Sequence, residues 1–142
     1  MRRPSALDAL SEREFRLFFT AQASSFVGDG MVPVALAFAV LNVVDNAIKY
    51  TPEGGSVAVR GRKVGGYVVI DVRDTGIGIP VNAIPHIFER FYRADWSRAK
   101  DIEGVGLGLN LAKWILDHHG GDIYVTSEVG KGSDFGLRVP AF

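Results

Sequence analysis

The chain has 142 residues, which is enough for one domain with a buried core and few for two. Sixteen basic residues balance sixteen acidic ones, so the overall charge does not direct the chain toward nucleic acid or anionic lipid, and we expect no nucleic-acid partner. The absence of cysteine excludes a disulfide framework and a thiolate metal site and is consistent with the cytoplasm, while three histidines, only two of them adjacent, argue against a zinc centre.

The first third of the chain changes from polar to apolar. Residues 1–16 are polar, and residues 17–44 carry Asp29 as their only charge. That run is long enough for a membrane span, which takes about 20 residues, but its uninterrupted part, Met31–Val44, indicates a buried core helix as readily. A cleaved signal peptide is disfavoured because acidic residues stand where a basic segment is expected, namely Asp8, Glu12 and Glu14.

From Asn42 onward the pattern is that of an α+β domain. Helical spacing, alternation and glycine or proline breaks predict the elements in order. They are a helix over Asn42–Tyr50, strands over Ser56–Val64 and Tyr67–Arg73 joined at Gly65-Gly66, a short helix over Ala83–Arg93, a helix over Leu107–His118, and strands over Asp122–Glu128 and Ser133–Val139. The polar segment Ala94–Glu103 is a candidate mobile lid, and we expect Phe88 and Phe91 to pack in the core.

A polar stripe lies on the first of these helices. Asn42, Asn46 and Lys49 are spaced i, i+4 and i+7 and therefore share one helix face. One interpretation is a solvated face. The other is a pocket in which an amide oxygen binds Mg²⁺ and the lysine adds positive charge, since magnesium prefers oxygen ligands.

The stretch Asp74-Thr75-Gly76-Ile77-Gly78-Ile79-Pro80 suits a nucleotide base. An ionised carboxylate accepts a hydrogen bond from the exocyclic amine of adenine, whereas guanine presents an oxygen there. We expect Gly76 and Gly78 to let the flat ring of the base approach the backbone and to adopt positive φ. The alternative is a turn in which Asp74 bonds only nearby amides.

A second glycine run, Gly104-Val105-Gly106-Leu107-Gly108, leads into a predicted helix. Free amides at a helix N-terminus bind phosphate, although a flexible loop would have the same composition. No Gly-Lys-Ser/Thr follows, so this is not a Walker A loop. Arg93 is either a surface charge or a phosphate contact.

Taken together and in order, four segments resemble the N, G1, F and G2 boxes of sensor histidine kinases. They are Asn42–Pro52, Asp74–Pro80, Ile87–Arg93 and Gly104–Leu109, within a resemblance that covers residues 42–142 and includes Gly130–Phe135. The resemblance implies the GHKL ATP-binding fold, a two-layer α/β sandwich of the α+β class. Its mixed, mostly antiparallel sheet would pack on three helices, with the N-terminal side truncated.

The resemblance also implies ligands and roles. ATP and Mg²⁺ would be the cofactors, with Asn46 ligating the metal, Asn42 and Lys49 near phosphate, Tyr50 stacking by the adenine and Asp74 reading it. The remaining cofactor-binding residues would be Gly76, Gly78, Arg93 and Leu107, together with Gly104, Gly106 and Gly108 as the hinge of the lid.

A histidine-bearing dimerisation domain and a response regulator are the implied partners. No phosphoacceptor motif precedes the ATP-binding region, and His86, His118 and His119 all lie inside it. We therefore expect phosphoryl transfer to a histidine on a separate domain and no autophosphorylation by this chain alone. A nucleotide-binding switch without transferase activity, or a non-functional chimeric fragment, are the alternatives.

Residues 6–41 resemble instead the cytoplasmic lead-in and first membrane helix of a major facilitator superfamily transporter. This resemblance divides the chain into residues 1–41 and residues 42–142, and only residues 15–41 could enter a membrane, at its cytoplasmic face. Hydrated Mg-ATP could not bind beside such a span. We therefore expect Val34–Leu41 to form the apolar front half of the kinase-type helix, and residues 15–26 to form an extra helix.

Overall fold

The computed structural model describes residues 31–93 and 106–141. Those from Val34 onward belong to one compact unit, Val34–Phe142. The elements are helix α1 (Met31–Lys49), strands β1 (Val57–Val64) and β2 (Tyr67–Asp74), a single 3-10 turn (Ile84–His86), helix α2 (Gly108–His118), and strands β3 (Asp122–Glu128) and β4 (Gly132–Pro140). The predicted α+β class is confirmed, and most predicted bounds lie within one residue of those observed.

The four strands form one sheet in the order β1-β2-β4-β3, and all three pairings are antiparallel. The predicted β1–β2 hairpin is confirmed, with Val64 opposite Tyr67 across the two-residue turn. Gly65 has a φ of +58°, the conformation that such a turn requires of its first central residue. Because β2 and β4 are neighbours, the end of β2 lies beside the start of β4, 59 positions later in the chain.

One face of the sheet carries the core. Alternate residues of β2 and β4 point to this face, and those on neighbouring strands lie opposite each other, as Val72 does Phe135. Helix α1 contributes buried residues at every fourth position, which is the spacing of a single helix face. The core side chains are Val72, Phe135, Leu137 and Val139 from the strands, Ala35, Ala39, Val43 and Ala47 from α1, and Ala112, Ile115 and Leu116 from α2.

Helix α1 runs without a break through the predicted boundary between residues 41 and 42. Val34–Leu41 is helical, as expected, and Ala35 and Ala39 within it are buried. The boundary itself stays a prediction. Within the described ranges, no helix combines the length and hydropathy that crossing a membrane requires.

The predicted helix over Ala83–Arg93 is wrong. Only Ile84–His86 forms a turn of 3-10 helix, and the rest of the segment is irregular. The N–H of Phe91 donates to the carbonyl of Gly106 at 3.1 Å, and Phe91 has a φ of +59°, which ends helical geometry. Phe88 contacts Phe135 edge to face, but Phe91 is 60% exposed, so core packing holds only for the first phenylalanine. The predicted lid, Ala94–Glu103, and residues 15–26 lie outside the described residues.

Candidate nucleotide-binding site

A buried carboxylate ends strand β2. Asp74 is 6% exposed, and its Oδ1 accepts hydrogen bonds from the backbone N–H groups of Gly76 at 2.8 Å and Ser133 at 3.2 Å. Burial raises the pKa of Asp74, the two hydrogen bonds oppose that shift, and the charge of Asp134 adds to it. Its Oδ2 accepts no hydrogen bond from any residue in 31–93 or 106–141. This oxygen is therefore an unused acceptor in a largely dry position.

A polar cavity of about 360 Å³ lies at this end of the sheet. It is formed where the ends of β2, β3 and β4 meet, and its lining is Arg73, Asp74, Thr126, Ser127, Glu128, Lys131, Gly132, Ser133 and Asp134. None of the candidate residues of helix α1 lines it. Backbone contacts, described next, connect that helix to Asp74.

The turn after β2 is hydrogen-bonded on both sides to other segments of the chain. The N–H of Ile77 donates to the carbonyl of Tyr50 at 3.1 Å, and the carbonyl of Ile77 accepts from the N–H of Gly130 at 2.8 Å. A Cβ on Gly76 would lie 2.4 Å from the Tyr50 oxygen, and one on Gly78 would lie 2.1 Å from the carbonyl oxygen of Glu128. Both glycines therefore admit close approach of the chain's own backbone.

At both glycines the close neighbour is the chain's own backbone, and the predicted approach of a base stays a prediction. Positive φ is confirmed for Gly78, at +75°, and is wrong for Gly76. The turn is thereby held against the end of helix α1. Tyr50, the residue after that helix, is half-buried, and its carbonyl is one of the two anchors.

The three polar side chains on one face of α1, those of Asn42, Asn46 and Lys49, differ in their contacts. Asn42 donates from Nδ2 to the carbonyl of Phe38 at 2.8 Å, and its Oδ1 would lie 3.3 Å from a Cβ on Gly108. The side chain of Asn46 makes no hydrogen bond with the part of the chain that the structure describes. Lys49 forms an ion pair with Asp45 at 2.8 Å. The asparagines therefore leave amide oxygens available, whereas the lysine is paired with a carboxylate of its own helix.

The second glycine run meets the first residues of α2. Gly106 has a φ of +76°, and a Cβ there would lie 2.7 Å from the carbonyl oxygen of Tyr92. Leu107 precedes the helix, which begins at Gly108, and no side chain caps its first amides. Uncapped amides at a helix start are donors for an anion. Arg93 is half-buried and lies at the end of the described range, whereas Gly104 is outside it.

Two serines were missed as candidates. Ser133 gives its backbone N–H to Asp74, and its hydroxyl contacts the hydroxyl of Ser127 at 2.8 Å. Ser127 also donates to the carbonyl of Gly132 and accepts from the N–H of Ile79, each within 2.9 Å. The alternation of β3 and β4 placed both serines at inward positions, where a small polar residue is unusual. That was the signal that could have identified them.

The amino-acid sequence matches a known family. The family described as "Histidine kinase-, DNA gyrase B-, and HSP90-like ATPase" matches residues 31–142. The chain belongs to this family. The predicted histidine kinase-type ATP-binding domain of the GHKL class is thereby confirmed, and the match begins at residue 31 rather than 42. The resemblance of residues 6–41 to a transporter stays a prediction.

Relatives of this ATP-binding domain are sensor kinases. The chain is 42% identical over 107 residues to the sensor-like histidine kinase SenX3 of Mycolicibacterium smegmatis and 42% identical over 101 residues to the sensor histidine kinase WalK of Bacillus subtilis. These matches cover 75% and 70% of this chain but only 28% and 16% of the relatives. The chain therefore spans less than a third of either protein.

Solved structures agree in fold. The mycobacterial sensor histidine kinase MprB superposes with a TM-score of 0.66 at 35% identity, over 80% of this chain and 72% of that one. Full-length ShkA in complex with AMPPNP superposes with a TM-score of 0.65 at 34% identity, over 75% of this chain and 21% of that one.

Proposed function

We propose that the chain binds Mg-ATP and supplies the nucleotide half of phosphoryl transfer to a histidine on another domain. The observation that carries this proposal is the buried Asp74 carboxylate, with one oxygen held by two backbone amides and the other unused. The relatives named as sensor histidine kinases support the transfer, as does the AMPPNP complex of ShkA for the nucleotide.

Adenine is selected by the unused oxygen. Asp74 Oδ2 accepts a hydrogen bond from the exocyclic amine, which satisfies a buried charge that otherwise has only one oxygen bonded. Guanine would place its carbonyl oxygen against the carboxylate and would be repelled. Gly76 and Gly78 hold the turn that fixes the carboxylate, and Tyr50 lies beside the ring.

The phosphates lie between α1 and the start of α2. The uncapped backbone amides at the start of α2, from Gly108 onward, donate to phosphate oxygens. Asn42 faces the same helix start. Arg93 and Lys49 add positive charge, and Gly104, which is outside the described residues, stays a predicted phosphate contact. Lys49 also pairs with Asp45 on the same helix, and its ammonium has further donors for a phosphate oxygen.

Asn46 fits a magnesium ligand. Its amide makes no hydrogen bond with the described residues, and Mg²⁺ accepts a single protein oxygen together with phosphate oxygens and waters. The described ranges hold no group of three acidic, histidine or cysteine side chains that could form a separate metal site. When bound, the ion would neutralise charge on the phosphates.

The chain's contribution to transfer is positioning. Holding the γ-phosphoryl group in line with an incoming histidine nitrogen accounts for most of the catalysis in such reactions. The acceptor histidine belongs to a dimerisation domain, and a response regulator receives the phosphoryl group next. We place this chemistry in the cytoplasm, or at the cytoplasmic membrane face if residues 15–41 insert.

The test is labelling with γ-labelled ATP. The full chain is incubated with Mg-ATP alone and then with a separately produced histidine-bearing helix pair from a relative such as WalK. We expect label on that histidine and none on His86, His118 or His119. Saturable ATP binding without any transfer would favour the nucleotide-binding switch. The absence of ATP binding by the folded chain would refute the proposal.

A further inference from the structure

The hydroxyl of Ser127, on β3, makes three hydrogen bonds. Its Oγ accepts the N–H of Ile79 at 2.8 Å, donates to the carbonyl of Gly132 at 2.9 Å and lies 2.8 Å from Ser133 Oγ. A hydroxyl carries one proton, and a carbonyl oxygen can only accept. The proton of Ser127 is therefore used on Gly132, and the bond between the two serines must be donated by Ser133.

This count fixes the direction of the Ser133 hydroxyl. Its single proton points at Ser127 and is not donated to Asp74. Yet Asp74 and Ser133 are both buried and lie opposite each other on β2 and β4. Opposite side chains of an antiparallel pair have Cβ atoms about 4.5–5.5 Å apart. A Ser133 hydroxyl released from Ser127 could therefore reach the carboxylate by changing its χ1 rotamer.

Such a rotation would occupy the acceptor that the nucleotide needs. A hydroxyl that donates to an ionised carboxylate forms a strong hydrogen bond, and a buried position strengthens it further. Asp74 Oδ1 already accepts two backbone N–H groups, so Oδ2 is the oxygen that the released proton would find. The acceptor therefore stays free as long as Ser127 engages the Ser133 proton.

We propose that Ser127 is a positioning residue for nucleotide binding, which holds the proton of Ser133 away from Asp74 and so keeps Oδ2 free as an acceptor. This role rests on the proposed function, in which Oδ2 binds the exocyclic amine of adenine. Ser127 acts through the Ser133 hydroxyl and needs no contact with the nucleotide. Its bond from Ile79 also supports the turn after β2, and the test has to separate these two effects.

The test is a double-mutant cycle on ATP affinity, measured with the full chain by competition against a fluorescent ATP analogue in the presence of Mg²⁺. In the original chain, Ser127→Ala releases the Ser133 proton and should weaken ATP binding by about tenfold or more. In a Ser133→Ala background no hydroxyl is left to turn, and the same substitution should weaken binding by less than about threefold. The lost support of the turn is common to both backgrounds and does not produce this difference.

Two further variants of Ser127 separate hydrogen bonding from shape. Ser127→Thr keeps the hydroxyl and should retain ATP affinity within about threefold. Ser127→Cys fills nearly the same space with a thiol, a weak acceptor, and should lose affinity only where the Ser133 hydroxyl is present. Thermal unfolding without nucleotide reports whether each variant is folded, and the cysteine variant completes the cycle if the alanine variant does not fold.

The chain offers a matched control in Ser56. It is exposed, and its hydroxyl makes no hydrogen bond with residues 31–93 or 106–141. Ser56→Ala should therefore change ATP affinity by less than about twofold in both backgrounds.

Equal losses from Ser127→Ala in the two backgrounds would show that Ser127 only supports the turn, and would overturn the proposal. A loss with Ser127→Thr as large as that with Ser127→Ala would overturn it too, because the hydroxyl would then not be the group that matters. The original chain distinguishes these results from failure of the proposed function. A folded chain that binds no ATP refutes both, whereas ATP binding with equal losses refutes only the role of Ser127.

Discussion

The substitution Asp74→Asn isolates the carboxylate that we propose reads the base. It keeps the size and shape of the side chain and removes its charge. The N–H groups of Gly76 and Ser133 both point at Oδ1 and need an acceptor there. The amide must therefore keep its oxygen at that position, which places its NH₂ group where Oδ2 stood. The variant then presents a donor to the nucleotide instead of an acceptor.

The magnitude follows from the hydrogen bond that is lost. A hydrogen bond to a charged group contributes about 1.5–3 kcal/mol, and each 1.4 kcal/mol is about tenfold in affinity. ATP affinity should fall by roughly 10- to 150-fold, because the adenine amine now meets another donor. ITP, which carries a carbonyl oxygen at the same ring position, should gain relative to ATP in the variant.

The assay is competition of ATP and ITP against a fluorescent ATP analogue, for both proteins, in the presence of Mg²⁺. Thermal unfolding of the variant without nucleotide reports whether the fold is retained. The reasoning is refuted if the folded variant binds ATP as tightly as the original chain. It is also refuted if the ratio of ITP to ATP affinity does not change.

Three further predictions concern the same site. Because burial raises the pKa of Asp74, its carboxylate takes up a proton at a higher pH than an ordinary aspartate, and ATP affinity should weaken on acidification from that higher pH. The same raised pKa adds to the free energy of unfolding below the usual range of an aspartate, and this contribution should be lost as the pH rises through the raised pKa. The variant Asp74→Asn should lack both effects in titrations and urea denaturation. Asn46→Ala should reduce Mg-dependent ATP binding to the level measured with a chelator, whereas Asn82→Ala, at an exposed site, should not, and calorimetry would decide. Gly78→Ala should lower the free energy of unfolding by at least about 2 kcal/mol more than Gly54→Ala. Both glycines have positive φ, but of the two only Gly78 lacks room for a Cβ. Equal losses would contradict the close contact of Gly78 with the β3–β4 turn.

Local signals in the sequence predicted most of the fold. Apolar residues at helical spacing indicated both helices, and Gly65-Gly66 indicated the hairpin, because a two-residue turn needs residues that tolerate positive φ. The ordered motifs around Asn46, Asp74 and Gly106 were enough to indicate the family. These features depend on residues close together in the chain, which a sequence displays directly.

The segment Ala83–Arg93 shows where local signals failed. Its aromatic and apolar spacing favoured a helix, but Phe91 pairs instead with Gly106, from the other side of residues 94–105. A tertiary hydrogen bond therefore overrode a local preference.

The sequence by itself determined the family, the class of ligand and the order of the elements, because each is written in short motifs and periodicities. Only the tertiary structure decided how Asp74 is held, since Ser133 lies 59 positions away and meets it through the pairing of β2 with β4. It also decided why Gly76 and Gly78 are glycine, because the backbones they admit belong to Tyr50 and Glu128. Contacts between distant segments have no local signature, and they set the position of the Asp74 carboxylate.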